Sequence, residues 1–166
     1  MAALVFAWLV STMCGGCAWY NSVPTPVATV KSAALANQVG EASRVEVLLE
    51  LANESATPLP LVQCDYTISV AGVGSFTFSD KPNRTLPGRP RDPGATTPGA
   101  VGAAGDGTQL LILPAAFAAA GQSVKGAAYQ VTGSVTYDPP GEMRKLLTES
   151  YIPLPAAQFS GGGTIE

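Results

Sequence analysis

The sequence predicts an all-β fold, a β-sandwich or barrel, and three observations carry that expectation. Between Arg44 and Val70 the segment RVEVLLELANESATPLPLVQCDYTISV reads as two strands around a polar, proline-bearing turn. Between Tyr129 and Tyr137, the residues Tyr129, Val131, Gly133, Val135 and Tyr137 alternate with Gln130, Thr132, Ser134 and Thr136. The 166-residue chain also carries 18 Gly and 14 Pro, which favours many turns over a helical bundle. Side chains alternate with period two along a strand, so each such segment offers one face to a core and a more polar face to water. Val45, Val47, Leu49 and Leu51 share one face, and Val62, Cys64, Tyr66, Ile68 and Val70 share another. About two thirds of the unfolded chain's surface can be buried at this length, enough for one independent core.

The first 30 residues differ from the rest. Ala2 to Val10 is an apolar run, AALVFAWLV, and no charged side chain appears before Lys31. A bilayer-spanning helix needs about 20 apolar residues, so this run is short for an anchor and right for the core of a signal peptide. Small residues Gly15 and Gly16 lead into Cys17, and Pro24 and Pro26 open a linker. That order resembles the leader of a bacterial lipoprotein, with residues 1–17 as leader, Cys17 as the lipidated residue and 18–26 as linker. Two details depart from the pattern: Cys14 stands where a leucine-like residue is usual, and a basic start is missing. Cys14 is the alternative acceptor, and an ordinary cleaved signal or a buried N-terminal segment are the other readings.

The remaining elements follow in order over residues 27–166. Val27 to Leu35 is a first strand and Val45 to Leu51 a second. Leu61 to Phe78 is a hairpin whose second arm is Ser75 to Ser79. Residues 80–107 hold Pro82, Pro87, Pro90, Pro93 and Pro98 among six glycines. Proline cannot donate to a sheet ladder and glycine is costly to order, so 80–107 is expected to be a flexible surface loop. Gln109 to Leu113 is a buried strand. Pro114 to Ala120 (PAAFAAA) reads as one or two helical turns stopped at Gly121. After Tyr129 to Tyr137, the sequence Asp138-Pro139-Pro140-Gly141 ends the strand. Leu146 to Leu154 is a further strand, and Phe159 to Ile165 a Gly-rich tail. The total is about seven strands at sandwich-like spacing.

Composition removes several kinds of chemistry. Charged residues make up 13% of the chain and the net charge is -3, without the clustered Lys and Arg that nucleic-acid binding needs. The chain has no histidine, which removes Ser-His-Asp and Cys-His catalysis and histidine metal sites. No Ser precedes a Lys by three positions, so the Ser-Lys arrangement is missing too. Cys14 and Cys17 form a C-x-x-C, but a redox pair needs a βαβ setting and a zinc site needs four ligands. Cys64 falls on an apolar strand face and reads as a small buried hydrophobe. Glu46, Glu50 and Asp65 fall on solvent faces, where carboxylates cannot converge in a cleft. Lys81, Arg84, Arg89 and Arg91 in the loop could meet a phosphate or an anionic head group, but a solvated loop explains them more simply. Gly99 to Gly107 lacks the spacing of a phosphate-binding loop. Asn53-Glu54-Ser55 and Asn83-Arg84-Thr85 match the glycosylation sequon and are taken as chance. No cofactor or metal is expected, and no catalytic residue.

The strand sequences resemble the late-embryogenesis-abundant type 2 family, or water-stress and hypersensitive-response domain. The likeness rests on the V-x-V-x-L-x-L-x-N strand at Val45 to Asn53, the P-L-P-L and D-Y-x-I-S-V segments ending at Val70, Leu110 to Pro114, and Tyr129 to Val135. The family often has Asn-Pro-Asn where this chain has Asn53-Glu54-Ser55. The resemblance implies a Greek-key sandwich of fibronectin type III or immunoglobulin kind. It also implies a non-catalytic protein with a desiccation-protective or partner-binding role. With the leader, the expected protein is tethered by lipid at Cys17 to a membrane, facing the periplasm or exterior, with envelope proteins as possible partners and no nucleic acid. A structural subunit of an envelope assembly is the alternative, and an enzyme of unknown type the third reading.

Overall fold

The computed structural model describes residues 25–39, 42–89, 107–119 and 123–166. The expected leader, including Cys14 and Cys17, lies outside the described residues, as do 90–106. Among the described residues, eight strands and one helix follow in order: β1 (Val27–Val39), β2 (Ala42–Ala52), β3 (Leu59–Val70), β4 (Gly74–Asp80), β5 (Thr85–Leu86), β6 (Thr108–Ala118), β7 (Ala128–Tyr137), α1 (Glu142–Glu149) and β8 (Ala156–Thr164). One sheet has the order β1-β2-β6. The other has the order β4-β3-β7-β8, with β5 paired to the start of β3. Every pairing is antiparallel. The chain crosses between layers from β2 to β3 and from β6 to β7, so β2 lies beside β6 and β3 beside β7. This is the interlocked Greek-key sandwich expected from the sequence.

The alternating side chains build the core as read. Val45, Val47, Leu49 and Leu51 from one layer face Cys64, Tyr66, Ile68, Val70, Val131, Val135 and Tyr137 from the other, all buried. Among the described residues, the core cluster and the side chains packed on it lie between Ala28 and Ile165. Main chain closes one flank of the sandwich. Leu35 N–H donates to the Glu166 carbonyl (2.9 Å) and Glu166 N–H donates to the Ala33 carbonyl (3.0 Å). Aromatic rings close the other flank. Phe76 of β4 stacks on Phe117 of β6 with centroids 4.6 Å apart, and the Tyr66 hydroxyl donates to the Pro114 carbonyl of β6.

Four expectations are corrected. Pro114 to Ala120 is not helical: β6 runs straight through Pro114 to Ala118. The strand tolerates proline because β6 is an edge, paired to β2 alone in an unbroken register that sets Pro114 opposite Glu46. The missing N–H therefore faces away from the ladder. Leu146 to Leu154 is not a strand. The good helix formers Glu142 to Leu147 make α1, and the last strand is instead β8, over the Gly-rich segment read as a tail. Residues 80–89 are not a flexible loop, since β5 pairs with Leu59 and Pro60 and Leu86 is fully buried. Val62 does not share the face of Cys64. A register irregularity between Leu61 and Gln63 turns it outward, and Leu61 is buried in its place.

Topology sorts the loops to two poles. The start of β1, the end of β2, the starts of β3 and β6, the end of β7 and all of α1 gather at one pole. The β3–β4 turn and the C-terminal residue sit at the other. That turn closes with Val73 N–H on the Val70 carbonyl (3.1 Å), and Gly72 at its third position has φ of 79°, a value the turn needs and side chains resist.

Candidate functional site

The outer face of the four-stranded sheet is a hydroxyl and amide surface. Strand register places Thr77, Thr67, Thr132 and Ser160 in one row, Ser75, Ser69 and Gln130 in the next, and Ser79, Asp65, Ser134 and Gln158 in a third. These rows exist because every second residue of four strands is Ser, Thr, Gln or Asp while the alternate residues fill the core. Neighbouring hydroxyls satisfy one another: Thr67 with Thr77 at 2.9 Å and Ser69 with Ser75 at 2.7 Å. The charge within these rows is Asp65, and Gln63 Nε2 donates to both its carboxylate oxygens at 2.9 Å. That bond, helped by Ser79, holds the Asp65 carboxyl below its ordinary range, so it stays ionised and occupied. A shallow depression of about 320 Å³ lies over this face, bordered by Thr67, Thr132 and Gln158.

The pole that carries the starts of β1 and β6 is organised by Asn53, which is 2% exposed. Asn53 Nδ2 donates to the carbonyls of Thr57 (2.8 Å) and Pro87 (3.1 Å), while its Oδ1 accepts from Ser55 N–H (3.0 Å) and Ser55 Oγ (2.7 Å). Asn53 N–H donates to the Gly107 carbonyl (2.8 Å), and Arg89 N–H donates to the Ser55 carbonyl (2.7 Å). One asparagine thus ties the β2–β3 loop to both ends of the 90–106 insertion. The Asn53 sequon is consumed by this network, since both ends of its amide are engaged. Ser55 supplies two donors to Asn53, from its N–H and its Oγ. Asn83 of the second sequon is exposed, at φ of 48°.

The titratable groups singled out in the sequence do not converge. Cys64 is buried, and desolvation, with Asp65 and Asp80 nearby, pushes its thiol up to about 12, the opposite of a nucleophile's requirement. Burial also raises the Tyr66 phenol, whose proton is committed to Pro114. Glu50 pairs with Lys31 (2.7 Å) and Glu46 with Arg44 (3.4 Å) on the outer face of the three-stranded sheet. Among the described residues no group of three His, Cys, Asp or Glu is placed to hold a metal ion, and no helix is long and apolar enough to cross a membrane. Lys81, Arg84 and Arg89 are exposed, and Arg91 lies outside the described residues.

Sequence reading missed α1 and the exposed residues around it, Leu146, Tyr151 and Ile152. The signal was present in Lys145 and Glu149 at helical i,i+4 spacing, which pair at 3.9 Å. It also missed the structural role of Asn53, whose place at the end of a strand before a proline-bearing turn was the available cue.

No protein-family model matches the chain, and no curated protein matches it significantly. Among solved structures, it is similar to the solution structure of a candidate late embryogenesis abundant (LEA) protein, at 18% identity and a TM-score of 0.58 over 99% of this chain and 84% of that one. At that identity the likeness establishes a shared fold, and the chain is an LEA-like all-β sandwich.

Proposed function

We propose that this chain is a non-catalytic, membrane-tethered β-sandwich outside the cytoplasm, with a stress-protective role exerted through its hydroxyl-rich sheet face. The observation that carries the reading is that face itself, set on an LEA-like fold. Its Ser, Thr and Gln side chains are uncharged beside the one ionised Asp65, and pairs such as Thr67–Thr77 and Ser69–Ser75 already bond each other, so exchanging those bonds for bonds to water, polyol or a drying protein surface changes the free energy little. Such a face suits broad, weak coverage rather than one tight ligand. A folded sandwich of positive mean hydropathy (+0.23) acts here as a rigid body, unlike a disordered hydrating chain. The tether is the leader ending at Cys17.

Two experiments test the reading. Desiccation of a labile enzyme with the purified protein should preserve more activity than an equal mass of an inert protein, and Thr132→Glu should reduce that benefit. Thr132 points outward, so its replacement should alter stability by no more than about 0.5 kcal/mol. Equal protection by the inert protein would refute the protective role. For the tether, Cys17→Ser should leave the membrane fraction, and full retention there would refute lipidation at Cys17.

A further inference from the structure

The segment between β7 and β8 carries an arrangement that packing alone does not explain. Helix α1 ends in a Schellman motif: Tyr151 N–H donates to the Thr148 carbonyl (3.3 Å) and Ile152 N–H to the Leu147 carbonyl (2.9 Å). The residue after the cap must then be left-handed, a place usually taken by glycine. Here it is Tyr151, at φ of 54°. Its ring is 96% exposed, so no core contact compensates for the unfavourable backbone. Leu146 (45%) and Ile152 (42%) are also exposed, which gives this short segment two large aliphatic side chains and one aromatic facing solvent.

The position of this knob identifies what it meets. Thr25, the first described residue, lies by the end of β7, where the Tyr137 hydroxyl donates to Thr25 Oγ1 (3.4 Å). Tyr137 is the residue from which the chain turns into the α1 segment, and its N–H is held by the Pro155 carbonyl (3.1 Å) at the segment's far end. The leader therefore joins the sandwich at the pole that presents Tyr151. We infer that Leu146, Tyr151 and Ile152 form a membrane-contact knob that seats this pole on the lipid surface to which the leader is tethered. This rests on the tether reading above. The chemistry fits the bilayer interface: aliphatic side chains enter the acyl boundary, while tyrosine places its ring there and keeps its hydroxyl among head groups. Charge does not drive the contact, because Arg144 is paired with Asp138 (2.9 Å) and Lys145 with Glu149 (3.9 Å).

The test is peptide-resolved hydrogen exchange on the full chain reconstituted in vesicles of phosphatidylcholine, with and without phosphatidylglycerol. The reference is the full-length Cys17→Ser chain free in solution. Amides in 143–154 should exchange roughly tenfold more slowly on either vesicle, while those of the β3–β4 turn at the opposite pole stay unchanged. Tyr151→Gly should abolish the slowing without lowering the melting temperature, because glycine accepts the left-handed backbone. Flotation with the vesicles but unchanged exchange in 143–154 overturns the knob and leaves the tether standing. Failure to float removes the tether, and the knob with it. Slowing confined to anionic vesicles, equal slowing at both poles, slowing retained in Tyr151→Gly, or slowing of the free Cys17→Ser chain as its concentration rises each overturns the inference. These outcomes point respectively to a charged contact, non-specific coating, irrelevance of the ring, and self-association.

Discussion

Gly133→Ala should be among the most damaging single-methyl additions to this protein. Gly133 lies near the middle of β7, directly between Tyr66 of β3 and Phe159 of β8, with Phe78 beyond Tyr66 in the same row. The two rings flanking it occupy the space a side chain would need. A Cβ there would stand 2.5 Å from the Asp65 carbonyl oxygen, 2.6 Å from the Phe159 ring and 2.7 Å from Tyr66 Cβ. Two of these neighbours are backbone or backbone-proximal atoms that cannot swing aside, so the strands must separate or the rings leave their rotamers. Overpacking of this kind costs about 1–3 kcal/mol, from which the lower unfolded-state entropy of alanine returns about 0.5–1 kcal/mol. A net loss of about 1–2 kcal/mol should lower the melting temperature by about 2–8 °C for a domain of this size. Gly163→Ala is the internal control: it lies on the neighbouring strand, and its nearest contact is a ring atom of Tyr129 at 3.3 Å. Thermal unfolding followed by near-ultraviolet circular dichroism measures both variants. If Gly133→Ala melts at or above the native temperature, the packing of Tyr66 and Phe159 over the glycine is not what fixes the register of β3, β7 and β8.

Asn53→Ala removes four part-buried side-chain hydrogen bonds and takes from the Pro87 carbonyl and the Ser55 N–H their Asn53 partner, so urea unfolding should show a loss of about 2–4 kcal/mol, with faster hydrogen exchange at Arg89. Pro114→Val restores an N–H on the edge of β6 that no strand pairs among the described residues, beside Ile112, which is already 54% exposed; sedimentation should show association absent from the native protein. Alkali should destabilise the fold: the Cys64 thiol titrates from 9.0 in an unstructured chain and at about 12 in the folded one, so the unfolded state loses its proton first. Stability should hold below about pH 9 and fall as pH rises from there toward 12, with Tyr66 acting in the same direction, and Cys64→Ala should lessen the fall in urea midpoints between pH 8 and 10.5.

The layered fold was legible wherever side chains alternated cleanly. Arg44 to Leu51, Cys64 to Val70 and Tyr129 to Tyr137 took the faces their period two dictates, because one face of each had to be buried. Alternation was silent where composition hid it. In QLLILPAAFA the outward positions are Leu110, Ile112, Pro114 and Ala116, as apolar as the inward ones, so the strand looked shorter and its second half helical. In AAQFSGGGT the inward positions beyond Phe159 are small or glycine, which left β8 without a signal of its own. The expected count of about seven strands came close to the eight observed because these errors offset: a strand read into Leu146 to Leu154 replaced the one missed at β8. Residues 80–89 misled for another reason. Their prolines forbid ladder bonds, but Leu86 is anchored by burial and by pairing with Leu59, and Pro87 by Asn53, long-range contacts that no local rule contains. The hydroxyl rows were visible as polar positions in separate strands, yet their assembly into one face required the register of four strands.

The same register bears on how a tethered sandwich can work. Strands run from pole to pole, so both sheet faces lie along the axis that joins the leader's entry at Thr25 to the β3–β4 turn. Seating one pole on a membrane hides α1 and the ends of the insertion but leaves the rows of Thr67, Thr132 and Ser160 exposed along the flank. The two proposed surfaces are therefore compatible, since neither needs the area the other uses. They are also chemically opposite. The knob gathers exposed aliphatic and aromatic groups into one small segment and tolerates backbone strain to do so, which suits a single fixed contact. The sheet face spreads weak, satisfied hydroxyls over four strands without strain, which suits many transient ones. A tight ligand on that face would have to break bonds such as Thr67–Thr77 and Gln63–Asp65 and replace each with one no better, so binding energy there accumulates slowly with area. Low affinity for any one molecule, on a flank that a membrane-seated pole would hold in place, is what the proposed protective role demands.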